Sequence, residues 1–73
     1  MKLNKEMFVL KIGSRIRDLR IEKGYTVEQL AHEAGIETRQ LLRIELGQIN
    51  TSIFQIYNLA LALDVPMKDI FNF

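Results

Sequence analysis

The sequence predicts an all-α fold of five helices. Three observations carry this reading: the chain holds one proline, no segment reads as a strand, and helix start and stop residues recur at close intervals. The first helix is expected from about Phe8 to Lys23, because Val9, Ile12, Ile16 and Leu19 recur at three- and four-residue steps. Gly24 stands where a left-handed residue closes a helix. Gly13 inside this helix costs about 1 kcal/mol relative to alanine, which leaves its beginning loosely defined.

Thr26-Val27-Glu28-Gln29 reads as a capping box: the Thr26 hydroxyl accepts from the Gln29 amide while the Gln29 side chain reaches back. The second helix therefore starts there, buries Val27, Leu30, Ala31 and Ala34, and stops at Gly35. A third helix follows from about Glu37 or Thr38 to Leu46, with Leu41 and Ile44 inward, Thr38, Arg39, Gln40, Leu42 and Arg43 outward, and Gly47 as its stop. Two short helices joined around a glycine make a sharp corner, and the small Ala31 lets them approach closely. Ser52 is a good N-cap for a fourth helix carrying Ile53, Ile56, Leu59, Ala60 and Leu63 on one face. Asp64-Val65-Pro66 breaks it, and Pro66 at a first helical position opens a short fifth element from Met67 to about Phe71. The expected core is Ile16, Leu19, Leu30, Ala31, Leu41, Ile44, Ile56, Ala60 and Leu63.

Composition sets the outer bounds. With 73 residues, one domain spanning 1–73 is the expectation. Hydrophobic residues at 48% and charged residues at 26% argue against disorder. Cysteine is absent and histidine occurs once, so no disulfide, metal site or cysteine nucleophile is expected. No Ser/His/Asp set, apolar carboxylate pair or phosphate-cradling glycine loop stands out. The chain is thus not expected to be an enzyme, and no cofactor is implied. No apolar run approaches the roughly 18 residues of a membrane helix or the form of a secretory signal. A soluble, cytoplasmic protein is expected, without a membrane partner. Net charge is +1, but Met1–Gly24 carries seven Lys/Arg against three acids and Tyr25–Phe73 three against six. That asymmetry permits a polyanion partner without demanding one.

Four segments go beyond generic helix signals: Ile12-Gly13-Ser14-Arg15-Ile16-Arg17-Asp18-Leu19-Arg20, Gly24-Tyr25-Thr26-Val27-Glu28-Gln29-Leu30-Ala31, Ala34-Gly35-Ile36, and Leu41-Leu42-Arg43-Ile44-Glu45-Leu46-Gly47. In this order and spacing the chain resembles the Cro/phage-repressor-type (XRE-like) helix-turn-helix family of DNA-binding regulators. The resemblance runs from about Ile12 to Phe71 and takes in Leu59-Ala60-Leu61-Ala62-Leu63-Asp64-Val65. It implies a five-helix, lambda-repressor-like DNA-binding domain in which helices two and three form the helix-turn-helix. By position in that family, Thr38, Arg39 and Arg43 match base-reading residues, and Arg20 and Glu45 match a buried ion pair tying helix one to helix three. Arginine suits base reading because its planar fork donates twice to guanine. On an isolated helix the same two arginines would be ordinary solvated charge.

Phosphate contacts are expected from helix starts and from the loop after helix three, where free amides meet backbone anions. The candidates are Thr26, Gln40, Gln48 and Asn50, with local capping as the competing role for Thr26. The chain departs from the family at Val27, where a glutamine is common, and at Glu37, where a Ser or Thr cap is usual. Leu42 and Leu46 replace residues that are more often polar, and the loop lacks its usual Lys or Arg, which predicts a modest DNA affinity. His32 reads as a solvated helix residue and Tyr25 as core filler at the corner.

The expected function is sequence-specific binding of double-stranded DNA by a transcriptional regulator, acting as a homodimer on a two-fold operator. An interaction protein of the antitoxin type, which holds a partner protein and binds DNA to regulate itself, is the alternative suggested by Phe54, Leu61, Leu42 and Leu46. Phe54 and Leu61 lie seven residues apart on helix four, off its core face. Together with Phe71 they are the expected dimer interface, and Met7, Phe8 and Phe73 add apolar surface beside it.

Overall fold

The computed structural model describes residues 2–73, and five helices account for most of them: α1 (Lys5–Glu22), α2 (Val27–Ala34), α3 (Thr38–Glu45), α4 (Ile53–Leu63) and α5 (Met67–Ile70). No strand is present among the described residues. The first helix begins three residues earlier than its apolar period indicates. Asn4 is its N-cap, with Oδ1 accepting from the Met7 amide at 2.8 Å, so Met7 and Phe8 lie inside α1 and not before it. The capping box at α2 is complete: the Gln29 amide donates to the Thr26 hydroxyl at 3.1 Å and the Thr26 amide to Gln29 Oε1 at 2.8 Å.

Gly35 closes α2 in the left-handed region, with φ at 72°. Only a residue without a Cβ enters that conformation freely, and here it turns the chain into α3 within three residues. At the end of α4 the same conformation falls to Asp64, φ 57°, a position the sequence marks only as a break. Pro66 proves to be the N-cap of α5 and not its first helical residue, since its ψ of 151° is still extended.

Every residue of the expected core is buried, joined by Ile12, Ala34, Leu59 and Ile70. Tyr25 and Val27 are half-buried against this cluster. Ile53 departs from expectation: it is 75% exposed. It opens α4, and helical side chains lean toward the N-terminus, so it projects past the elements that cover the rest of that face. There it helps line an apolar hollow of about 210 Å³ with Phe8, Ile12, Ile49, Ile56 and Phe71.

Gly13 explains itself in three dimensions. A Cβ at this position would overlap the carbonyl oxygen of Ile44 and lie 2.8 Å from that of Glu45. The helix-weakening glycine is thus what allows α1 to cross the C-terminal end of α3 in direct backbone contact. Arg15 adds a second long-range tie, its Nε donating to the Asp69 carbonyl at 2.7 Å and joining α1 to α5.

Candidate nucleic-acid interface

The eight residues of α3 divide sharply between core and surface. Leu41, Ile44 and Glu45 are buried, Arg39, Leu42 and Arg43 are exposed, and Thr38 and Gln40 are half-buried rather than fully outward as the sequence suggests. Gln40 is held against α4 by its hydrogen bond to Gln55. Arg39 and Arg43 stand one turn apart on the same side of the helix. Neither makes an ion pair or side-chain hydrogen bond among the described residues. Like charges at this spacing destabilise an isolated helix by about 0.2–0.5 kcal/mol, and an anion placed between them reverses that sign.

What holds this face in place is the far end of the same helix. Glu45 is 4% exposed, the one buried charged or polar side chain among the described residues, and Arg20 of α1 meets it in a two-pronged ion pair. Arg20 Nε donates to Glu45 Oε2 at 2.7 Å and Nη2 to Oε1 at 3.0 Å, while Nη1 donates to the Tyr25 carbonyl at 2.9 Å. The hydrogen bond to Glu45 raises the Arg20 pKa above its ordinary value, against a smaller opposing effect of burial. Arg20 therefore stays charged throughout the working pH range. One guanidinium fixes α1, the α1–α2 turn and the last residue of α3 relative to one another.

The residues expected at phosphates fall into two groups. Gln48 and Asn50 are exposed in the loop after α3, with no side-chain hydrogen bond among the described residues. Thr26 and Gln40 are already engaged. The Thr26 amide and hydroxyl serve the capping box, leaving only the hydroxyl proton to donate. Gln40 Nε2 donates to Gln55 Oε1 at 2.9 Å. Nothing in the sequence singles out Gln55, because a glutamine in the first turn of an amphipathic helix carries no local signal. Glu37 is the α3 N-cap but makes no side-chain cap bond, which leaves the first amides of α3 uncapped from within. His32 is exposed on α2.

The apolar residues assigned to a dimer interface are where a second molecule can reach them. Phe54 is 70% exposed and Leu61 60%, and Phe54 stacks on Tyr57 with ring centroids 6.3 Å apart. Phe71 is partly covered from within, stacked on Phe8 at 6.3 Å. Among the described residues no helix is long and apolar enough to cross a membrane.

Comparison with known proteins agrees with this geometry. Residues 13–72 match the family model described as a helix-turn-helix domain. The chain is 39% identical over 62 residues to the HTH-type transcriptional regulator SinR of Bacillus licheniformis, covering 84% of this chain and 56% of SinR. It is 32% identical over 60 residues to an uncharacterized HTH-type transcriptional regulator of Archaeoglobus fulgidus, covering 82% of this chain and 86% of that one. This chain thus spans little more than half of SinR and most of the archaeal protein.

Among solved structures, the restriction-modification controller protein C.AhdI of Aeromonas hydrophila superposes with a TM-score of 0.85 at 38% identity, over 86% of this chain and 96% of that one. The biofilm regulator SinR, in complex with DNA, superposes with a TM-score of 0.77 at 37% identity, over 84% of this chain and 98% of that one. These relatives are regulators, a non-enzymatic class, and they do not favour the antitoxin-type reading. The chain belongs to the helix-turn-helix domain family, in the XRE-type branch of HTH-type transcriptional regulators.

Proposed function

We propose that this protein is a sequence-specific regulator that lays α3 in the major groove of double-stranded DNA, with Arg39, Arg43 and Thr38 reading base edges. The observation that carries the reading is the unpaired Arg39 and Arg43 on a helix whose other face is locked by the Arg20–Glu45 pair. A major groove about 12 Å wide admits one α-helix, and rigid attachment at Glu45 sets the angle at which this one enters. Gln48, Asn50, Gln40 and the hydroxyl of Thr26 supply phosphate contacts, which fix register without reading sequence. A homodimer joined through Phe54, Leu61 and Phe71 presents two such helices to half-sites about 34–36 Å apart. A regulator of this kind works where the DNA is, which in its bacterial and archaeal relatives is the cytoplasm.

Selection of bound sequences from a random duplex pool tests the reading directly. The wild-type chain enriches a two-fold motif. Arg39→Ala and Arg43→Ala each relax base preference by about 1–3 kcal/mol, whereas Gln48→Ala weakens cognate and scrambled duplexes alike. If a dimer neutralises about 6–10 phosphates, log affinity falls against log salt with a slope of about −5 to −9. No enrichment, or a flat salt response, removes DNA binding from the account.

A further inference from the structure

The contact between Gln40 and Gln55 is the side-chain hydrogen bond that joins α3 to α4 among the described residues. Elsewhere α3 rests on α1 and α2, through the Gly13 crossing, the Arg20–Glu45 pair and the tight corner. Gln55 Oε1 also accepts from the Thr51 hydroxyl at 3.4 Å, and the Gln55 backbone N–H donates to the Ser52 hydroxyl at 3.1 Å. One half-buried carboxamide thus gathers the first turn of α3, the loop after it and the first turn of α4.

The remaining hydrogen-bonding capacity of this cluster has a definite sign. Each primary amide carries two N–H donors, and of the four in this pair only one, on Gln40, is used among the described residues. No buried side-chain nitrogen or oxygen lacks a partner among the described residues, so the idle Nε2 of Gln55 is open to solvent. The acceptor of Gln55 is spent within the protein and its donors are not. A group that takes donors only, such as a backbone phosphate, suits what is left. Val27, at the start of α2, offers no polar side-chain atom that would do the same work there.

We propose that Gln55 is a positioning residue of the DNA interface: it fixes Gln40 and joins it in a two-amide clasp on one backbone phosphate, at the junction of α3, the 47–52 loop and α4. The proposal rests on the DNA-binding reading above. It makes Gln40 and Gln55 one functional unit, although they are fifteen residues apart.

A double-mutant cycle tests it, using the duplex enriched by the wild-type chain and a scrambled duplex of equal length. Gln40→Ala and Gln55→Ala each weaken binding to both duplexes by about two- to tenfold, the size of one lost hydrogen bond. The double variant binds no more weakly than the weaker single one, because either change opens the clasp. Gln55→Glu keeps the acceptor for Gln40 but sets a negative charge beside the phosphate, and it loses more affinity than Gln55→Ala while unfolding at the wild-type urea midpoint. Wild-type affinity in Gln55→Ala overturns the proposal, as do losses that multiply in the double variant. A binding loss matched in every variant by a fall in the urea midpoint reduces Gln55 to a structural role. If the wild-type chain enriches no duplex, the DNA-binding reading itself falls, whereas enrichment with multiplying losses removes the clasp alone.

Discussion

Glu45 illustrates how a single side chain carries both stability and aim. Burying a carboxylate costs several kcal/mol unless charge and hydrogen bonds compensate it, and here both oxygens are met by Arg20. Removing one partner leaves the other charged and dry. Arg20→Met is therefore expected to cost about 3–5 kcal/mol in urea unfolding, while Arg20→Met combined with Glu45→Leu recovers most of that loss. A double variant as unstable as the single one would mean that packing, and not the stranded carboxylate, sets the cost. The double variant also separates stability from aim: it folds, yet α3 has lost the anchor at its last residue, so cognate binding weakens more than stability does.

At the scale of elements, the decisive contact is the crossing of α1 over the end of α3. In an ordinary exposed helix interior, replacing glycine by alanine stabilises by about 0.5–1 kcal/mol. At position 13 the added methyl meets two backbone carbonyls, which cannot swing aside as a side chain does. Gly13→Ala is thus expected to reverse sign and destabilise by about 1–3 kcal/mol, the usual cost of overpacking, as read from thermal or urea unfolding. A stabilised variant would show that α1 and α3 can separate there without penalty. At the corner between α2 and α3 the small Ala31 is expected to serve the same kind of closeness, and it is 1% exposed.

At the scale of the whole molecule, several large apolar side chains are left outside the core. Ile53, Phe54, Tyr57 and Leu61 leave a largely exposed stripe along α4. Single exposed apolar residues mean little, but a contiguous stripe marks a contact surface. The proposed symmetric dimer would cover it and add the stability that small single cores rarely supply alone. Phe54→Glu with Leu61→Glu is expected to shift the protein to monomer in sedimentation at micromolar concentration and to weaken operator binding with Arg39 and Arg43 intact. A wild-type chain that sediments as a monomer, or a double variant that stays dimeric, places the interface elsewhere.

Local chemistry was legible in the sequence wherever cause and effect lie within one helical turn. The Thr26–Gln29 capping box, the stop at Gly35 and the apolar stripes that bury Ile16, Leu30, Leu41 and Leu63 all follow from spacings of three and four residues. The same logic put Arg39 and Arg43 on one exposed face. Arg20 and Glu45, twenty-five residues apart, were paired only through the family resemblance, because no periodicity relates them. Only the tertiary structure decided that Gly13 makes room for the carbonyls of α3, that Arg15 reaches the Asp69 carbonyl fifty-four residues on, and that Gln55 holds Gln40. Each of these depends on where two helices come to rest against each other. That placement is set by the sum of the packed core, and no single segment of the chain carries it.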